Sequence, residues 1–312
     1  LYDIKLPLTI YNTSCYRGIP GKYIAAGPLA SRWLQQQFAT DATLIRSGAQ
    51  VLGEPAAGYL SHPGYAALPK APYRYQEMLG VIWRENPSCY LEDGEQAVLM
   101  AALMETDNAG RPLIDAWIKR SGLSADAWLE KLFEATVIPF YHLLCRYGVA
   151  LIAHGQNVTL VMKDYVPQRI LLKDFQGDMR LVDEDFPQAQ SLPEQVKAVT
   201  ARLSADYIIH DLQTGNFVTV LRFISRLTLQ CGVSETRFYQ ILAGVLREYM
   251  AAHPDLAERF AKFDLFKPQI IRVILNPVKL TFSEHDGGSR MLPNYVTDLD
   301  NPLFLASRES AQ

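Results

Sequence analysis

The sequence predicts an α+β fold, mixed up to about residue 185 and mainly helical beyond it. Strand-like runs at 4–11 and 149–182 are broken by turn residues in the first part. From Leu192 to Phe266 the apolar residues recur at helical spacing instead. No Pro- or Ser-rich linker separates residues 1–185 from 186–312, so the two parts are expected to pack as one unit.

Taken in order, IKLPLTIY (Ile4 to Tyr11) reads as a strand interrupted at Pro7 and stopped by Asn12-Thr13-Ser14. Tyr16 to Lys22 is a loop holding two glycines, a proline and two cations. Leu29 to Phe38 has the spacing of a helix, and the Gly/Pro/Ala-rich residues 50–72 read as strands joined by turns. An amphipathic stretch from Tyr75 to Arg84 stops at Asn86-Pro87, and the apolar run 97–106 predicts a buried strand closed by Asp107-Asn108-Ala109-Gly110. Ser124 is placed to cap a long helix over 125–147, kinked near Pro139 and ended by Gly148. Two β-rich segments around a turn at 163–168 predict a hairpin, followed by helices at 193–206, 211–230, 234–252 and 254–263. The tail carries a short apolar run, IIRVILNPVKL, and a polar, Gly-rich end.

Composition narrows the function classes. A net charge of −3 with no lysine- or arginine-rich run gives no footprint for nucleic acid, and points to small-molecule partners. The cysteines, Cys15, Cys89, Cys145 and Cys231, lie far apart, which argues against structural zinc, iron–sulfur binding or a disulfide framework. A reducing cytoplasm is the natural compartment for such a chain. No apolar run approaches the roughly 20 residues that span a bilayer. The opening residues show no signal-peptide architecture and no methionine, so the chain is expected to be the C-terminal part of a longer polypeptide.

Three constellations carry chemistry. His154-Gly155-Gln156-Asn157 and Lys173-Asp174-Phe175-Gln176-Gly177-Asp178 fall on the two sides of the predicted hairpin. Their carboxylate and amide oxygens suit Mg²⁺, and the histidine and lysine suit a phosphoryl group. The same residues would equally serve as a buried polar network pinning the hairpin. Thr13 to Gly18 with Lys22 is a glycine-flanked loop with donors for an anion, or an ordinary turn with surface cations. Trp83-Arg84-Glu85-Asn86-Pro87 offers an arginine for a carboxylate ligand, or a helix end with an ion pair at its rim. His62, His142, His210, His253 and His285 have no metal-ligand spacing and read as structural or solvent-facing.

HGQN followed by LLKDFQGD, preceded by LPLTIYNTSCYRG and WRENP, resembles the IucA/IucC family of siderophore synthetases. The likeness continues through SADYIIHDLQTGNFVTVLRFIS to GGSRMLPNY. It implies a hand-like fold of thumb, fingers and palm, here the fingers and palm, and a homodimer. It implies an ATP- and magnesium-dependent ligase. Such a ligase adenylates a carboxylate of citrate, or of a monocitryl adduct, and condenses it with the amine of N6-acetyl-N6-hydroxylysine. By the same resemblance Ser14, Arg17 and Lys22 would meet the nucleotide phosphates, and His154 the α-phosphate and reacting carboxylate. Gln156 and Asn157 would orient nucleotide or metal, Asp174 would meet Mg²⁺, and Arg84 a substrate carboxylate. Ile152 stands where the family pattern can carry a glutamate, which shifts metal binding onto Asp174. The family's N-terminal half has no counterpart here, so the chain alone is expected to be inactive.

Two other classes compete. The helical C-terminal lobe also resembles ferric-siderophore reductases, which need the clustered cysteines this chain lacks. HGQN…KDF has the outline of a kinase catalytic loop, but no GxGxxG or VAIK-like strand supports it.

Overall fold

The structure is a computed structural model and describes residues 1–12, 15–19, 21–68, 78–175, 177–274 and 294–309. Its strands are β1 (Tyr2–Lys5), β2 (Leu8–Asn12), β3 (Cys15–Arg17), β4 (Gln50–Val51), β5 (Ala56–Tyr59), β6 (Gly80–Glu85) and β7 (Glu95–Leu99). There follow β8 (Val149–Leu151), β9 (Val158–Lys163), β10 (Val166–Leu172), β11 (Met179–Val182), β12 (Ala201–Leu203), β13 (Gln269–Ile274) and β14 (Asn294–Asp300). The expected α+β class is the one observed. Strand order is β1-β6-β5, β4-β10-β9-β7 and β12-β11-β8, with β2-β3 and β13-β14 as pairs.

The central element is the β9–β10 hairpin. Its turn is only two residues long, and Asp164 and Tyr165 both have positive φ, the geometry that matches strand twist. Neither is glycine, and tertiary contacts hold the turn: Trp128 Nε1 donates to the Tyr165 carbonyl at 2.8 Å and the Arg120 guanidinium lies over the Tyr165 ring. Pairing runs back to Leu172 opposite Val158. β4 lies parallel on the other side of β10, with Leu172 beside Val51.

The predicted long helix divides where the sequence suggested. Ala125–Thr136 is capped by the Ser124 hydroxyl accepting from the Ala127 N–H, and Val137 separates it from Ile138–Tyr147, where Pro139 sits in the first turn. Gly27–Thr40 and Glu235–Ala252 are helices over the expected regions. Trp128, Phe133, Tyr141 and Phe238 are fully buried in a core that runs from Ala26 to Ala306. The Phe133 and Phe238 rings meet edge to face at 4.9 Å.

Several expectations need correction. The run 97–106 is not one buried strand: β7 ends at Leu99 and a 3₁₀ turn covers Met100–Met104, which alone buries Met100 and Leu103. A helix over 193–206 is replaced by Glu194–Lys197, then β12 parallel to β11, because the chain there completes a sheet edge. Helix 211–230 contains a π-helical stretch, Gln213–Leu221, and ends as a 3₁₀ turn at Thr228–Cys231. Helix 254–263 starts as a 3₁₀ turn, Pro254–Leu256, before Ala257–Lys262. WRENP is the end of β6 rather than of a helix, and part of the Tyr75 to Arg84 stretch lies outside the described residues. Among the described residues, no helix is long and apolar enough to cross a membrane.

Gly148 ends the Ile138–Tyr147 helix at φ 65° and launches β8 toward the motif loops. A Cβ there would lie 2.6 Å from Val182 Cγ1. Gly148→Ala is expected to lower unfolding free energy by about 2–4 kcal/mol, from left-handed backbone strain plus overpacking. Urea denaturation measures it, and an unchanged midpoint would contradict the close packing.

Candidate functional site

The hairpin register explains why the two strongest motifs meet. HGQN enters β9 and KDFQGD leaves β10, so Val158 opposite Leu172 brings both loops out at the open end. The first loop is stitched to the second. The Asn157 amide Nδ2 donates to the Ile152 carbonyl at 3.3 Å and to Asp178 Oδ2 at 3.2 Å, and the Ile152 N–H reaches the Asp178 carbonyl at 3.2 Å. Asp174 has a left-handed backbone, φ 65°, which turns its carboxylate off the strand direction.

Three further segments converge on Asp174. In the β1–β6 pair, Asp3 faces Arg84 and Lys5 faces Ile82, so Lys5 and Arg84 share one face. Arg84 Nη2 donates to Asp174 Oδ1 at 2.6 Å, and the Lys5 ammonium pairs with the same oxygen. Behind them Arg84 Nε and Nη2 both reach Glu54 Oε1, at 3.1 and 2.9 Å. Glu54 comes from the segment after β4, and its own N–H donates to Ser31 Oγ at 2.7 Å. Arg84 and Glu54 are 7% and 1% exposed, whereas the Lys5 side chain is 43% exposed.

The charges follow from this packing. Burial pushes the Asp174 carboxyl up, but Lys5 and Arg84 outweigh it and hold the group at about 2. Burial alone would lower the Arg84 guanidinium, yet Asp174 and Glu54 raise it above its ordinary value. Burial pushes Glu54 upward against the pull of Arg84, and it lowers Lys173.

In front of this cluster lies a cavity of about 490 Å³. Its walls include Lys5, Arg17, His154, Gln156, Asn157, Asp174 and Asp178. The sequence-predicted Arg17, His154, Gln156, Asn157 and Asp174 are therefore brought together. Ser14 lies outside the described residues, as does the side chain of Lys22, whose backbone is in the short helical turn Gly21–Ile24. Arg84 is not on the cavity wall, and its guanidinium is committed to Glu54 and Asp174. In the structure Arg84 orients Asp174, and a substrate carboxylate as its partner stands as a proposal. Lys5 and Glu54 were missed because neither belongs to a motif: one sits in a strand, the other in a Gly/Pro-rich segment. Of the histidines set aside, His142 is buried with Nδ1 2.8 Å from Tyr249 Oη, and His253 Nδ1 lies 2.8 Å from the Tyr249 carbonyl oxygen. Burial lowers His210 to about 4.

For a cation, Asp174, Asp178 and the Asn157 amide are hard oxygen donors on one wall. Among the described residues no group of three or more His, Cys, Asp or Glu could hold a metal ion by itself. That donor set fits Mg²⁺, which takes one or two carboxylates and completes its shell with substrate phosphates and water.

Cations, a histidine, amides and two carboxylates thus surround one open cavity. A profile of the IucA / IucC family matches residues 2–105, and a profile described as ferric iron reductase FhuF-like transporter matches residues 126–289. Aerobactin synthase of Escherichia coli is 72% identical over 98% of this chain and 53% of that protein. The Vibrio mimicus aerobactin synthase is 60% identical over 98% of the chain and 52% of that protein. Among solved structures, aerobactin synthetase IucC of Klebsiella pneumoniae matches with TM-score 0.85 and 64% identity, over 98% of this chain and 51% of that one. Petrobactin biosynthesis protein AsbB of Bacillus anthracis matches with TM-score 0.84 and 25% identity, over 100% and 51%. The chain belongs to the IucA/IucC family. It spans about half the length of the curated relatives it matches.

The Asp174 pairing sets a pH dependence. Its folded value of about 2 lies below the ordinary 3.8, so the pairing stabilises the fold above about pH 4 and is lost as pH falls through 2. Asp174→Asn should lose less stability than the parent between pH 6 and pH 2, by about 1–2 kcal/mol. Urea titrations across that range measure it, and equal acid-side slopes would contradict the pairing.

Proposed function

We propose that this chain forms the activating wall of an ATP-dependent, siderophore-forming ligase. The observation that carries the reading is the single cavity shared by Arg17, His154, Gln156, Asn157 and Asp174. In the proposed reaction a citrate carboxylate attacks the α-phosphorus of ATP and pyrophosphate leaves. The amine of N6-acetyl-N6-hydroxylysine then attacks the acyl carbon, AMP departs with the bonding electrons, and the amine loses its proton. The first step brings two anions together, and donors fixed before they arrive lower that barrier by a few kcal/mol each. Arg17 and His154 are those donors, with Lys22 and Ser14 alongside by motif. Gln156 and Asn157 orient the nucleotide. Mg²⁺ held at Asp174 and Asn157 would neutralise phosphate charge. The acyl donor in this reading is the monocitryl adduct, the second of two condensations, as the family resemblance implies.

A protein of the relatives' full length is the proposed active form, and the chain alone is expected to release no AMP. In such a protein pyrophosphate release should be fastest with the monocitryl adduct plus amine. Preference for free citrate would move the reading to the first condensation, and ADP in place of AMP would overturn adenylation. His154→Ala is expected to slow pyrophosphate release about 100-fold. Its melting temperature should stay close to the parent's; unfolding of the variant would instead favour a structural role.

A reductase-type reading draws on the FhuF-like match to residues 126–289. There Cys145 is buried, with its thiol pushed up by burial, and Cys231 is half-buried on a separate element. Visible charge-transfer absorption in the purified protein would favour that reading, and a colourless protein the ligase.

A further inference from the structure

The loop bearing His154 is held from below as well as from the sides. Gly155 accepts from the Ala101 N–H at 3.0 Å through its carbonyl, and a Cβ on Gly155 would itself lie 3.0 Å from that nitrogen. Asn157 ties the far end to Ile152. None of these contacts touches the peptide that joins Ala153 to His154. That peptide is reached by the π-helical stretch Gln213–Leu221 of the C-terminal part. Asn216 Nδ2 donates to the Ala153 carbonyl at 3.1 Å. One residue earlier, a Cβ on Gly215 would lie 3.3 Å from the Ala153 nitrogen, so glycine permits the approach.

We propose that Asn216 is a positioning residue for His154, acting through the Ala153 carbonyl. The proposal rests on the reading of His154 as the phosphate- and carboxylate-facing group. Asn216 is 0% exposed, and among the described residues its Nδ2 otherwise faces only Met100 Sδ at 3.7 Å and its Oδ1 has no hydrogen-bond partner. An orphaned buried acceptor is costly, and an apolar side chain would fill the same space without that cost. The amide is explained by its donor. The Ala153 carbonyl lies in the plane of the Ala153–His154 peptide, so fixing it fixes the direction in which the His154 Cα leaves the backbone. The π-helical ladder is a rarer and poorer arrangement than the α-helix, and such widened turns concentrate at functional sites. Here the widened turn carries Gly215 and Asn216 onto opposite ends of one residue.

The test uses this chain with ¹⁵N-labelled histidine, His154→Ala assigning the His154 imidazole signal among the six histidines. Asn216→Ala removes the donor, and Gly215→Ala pushes the same residue, Ala153, from its nitrogen side. Both variants should shift and broaden the His154 signal while those of His62, His142 and His253 stay in place. Both should also weaken Mg·ATP binding about tenfold, the loss of one charge-assisted contact. A His154 signal unmoved in both variants overturns the proposal, as does movement of all six signals together, which marks general packing. If Asn216→Ala fails to fold, Gly215→Ala carries the test. A protein of the relatives' full length that binds no ATP would sink the proposed function, while the imidazole spectra of this chain would still decide the role of Asn216.

Discussion

Arg84 lies between two carboxylates in a nearly dry environment, and the cavity wall is built around that pairing. A buried guanidinium without partners is strongly unfavourable, so Glu54 and Asp174 must stay within reach once Arg84 is folded into β6. With Lys5 the group totals two cations and two anions. It ties four separated pieces of chain, namely β1, the segment after β4, β6 and the loop after β10. Because the charges balance, the cluster tolerates burial; because it is directional, it fixes where the Asp174 carboxylate points. The outward half of the same cluster, Lys5 and Asp174, is what the cavity exposes.

The second determinant is strand register. A two-residue turn and one register shift between Pro167 and Arg169 set where the hairpin's ends fall, so the motif before β9 and the motif after β10 emerge together. This is why the sequence alone picked out motif residues that line one cavity. HGQN and KDFQGD are each short, local and set off by apolar runs, and the turn between them is recognisable from its flanking strands. The caps at Ser124 and Gly148 were equally local, and the helix break beside Pro139 follows from one missing N–H.

What escaped the sequence reading depends on contacts made far along the chain. Glu54 is remote from Arg84 in sequence and meets it because β5, just after it, pairs antiparallel with β6, Ala56 opposite Trp83. Lys5 looked like one polar residue in a strand, and its role depends on pairing with β6. The run 97–106 has the composition of a buried strand, but only Met100 and Leu103 of it find the core, while the β7 part lies nearer the surface. The π-helical ladder has no compositional signature, since Gln213 to Leu221 reads as ordinary helix. Arg84 was read as facing a ligand carboxylate; its pairing with the protein carboxylates Glu54 and Asp174 was not foreseen, because residue type alone does not tell one from the other.

The widened turn at Gln213–Leu221 has an evolutionary corollary. Such a turn accommodates one more residue than the regular spiral, so removing a single residue there would let the helix relax to 3.6 per turn. Every side chain beyond the deletion would then swing by about 100° relative to those before it. Lineages that keep the amide facing Ala153 must therefore conserve the length of this segment, even where its apolar residues drift. Single-residue gaps should be rarer there than in the neighbouring loops.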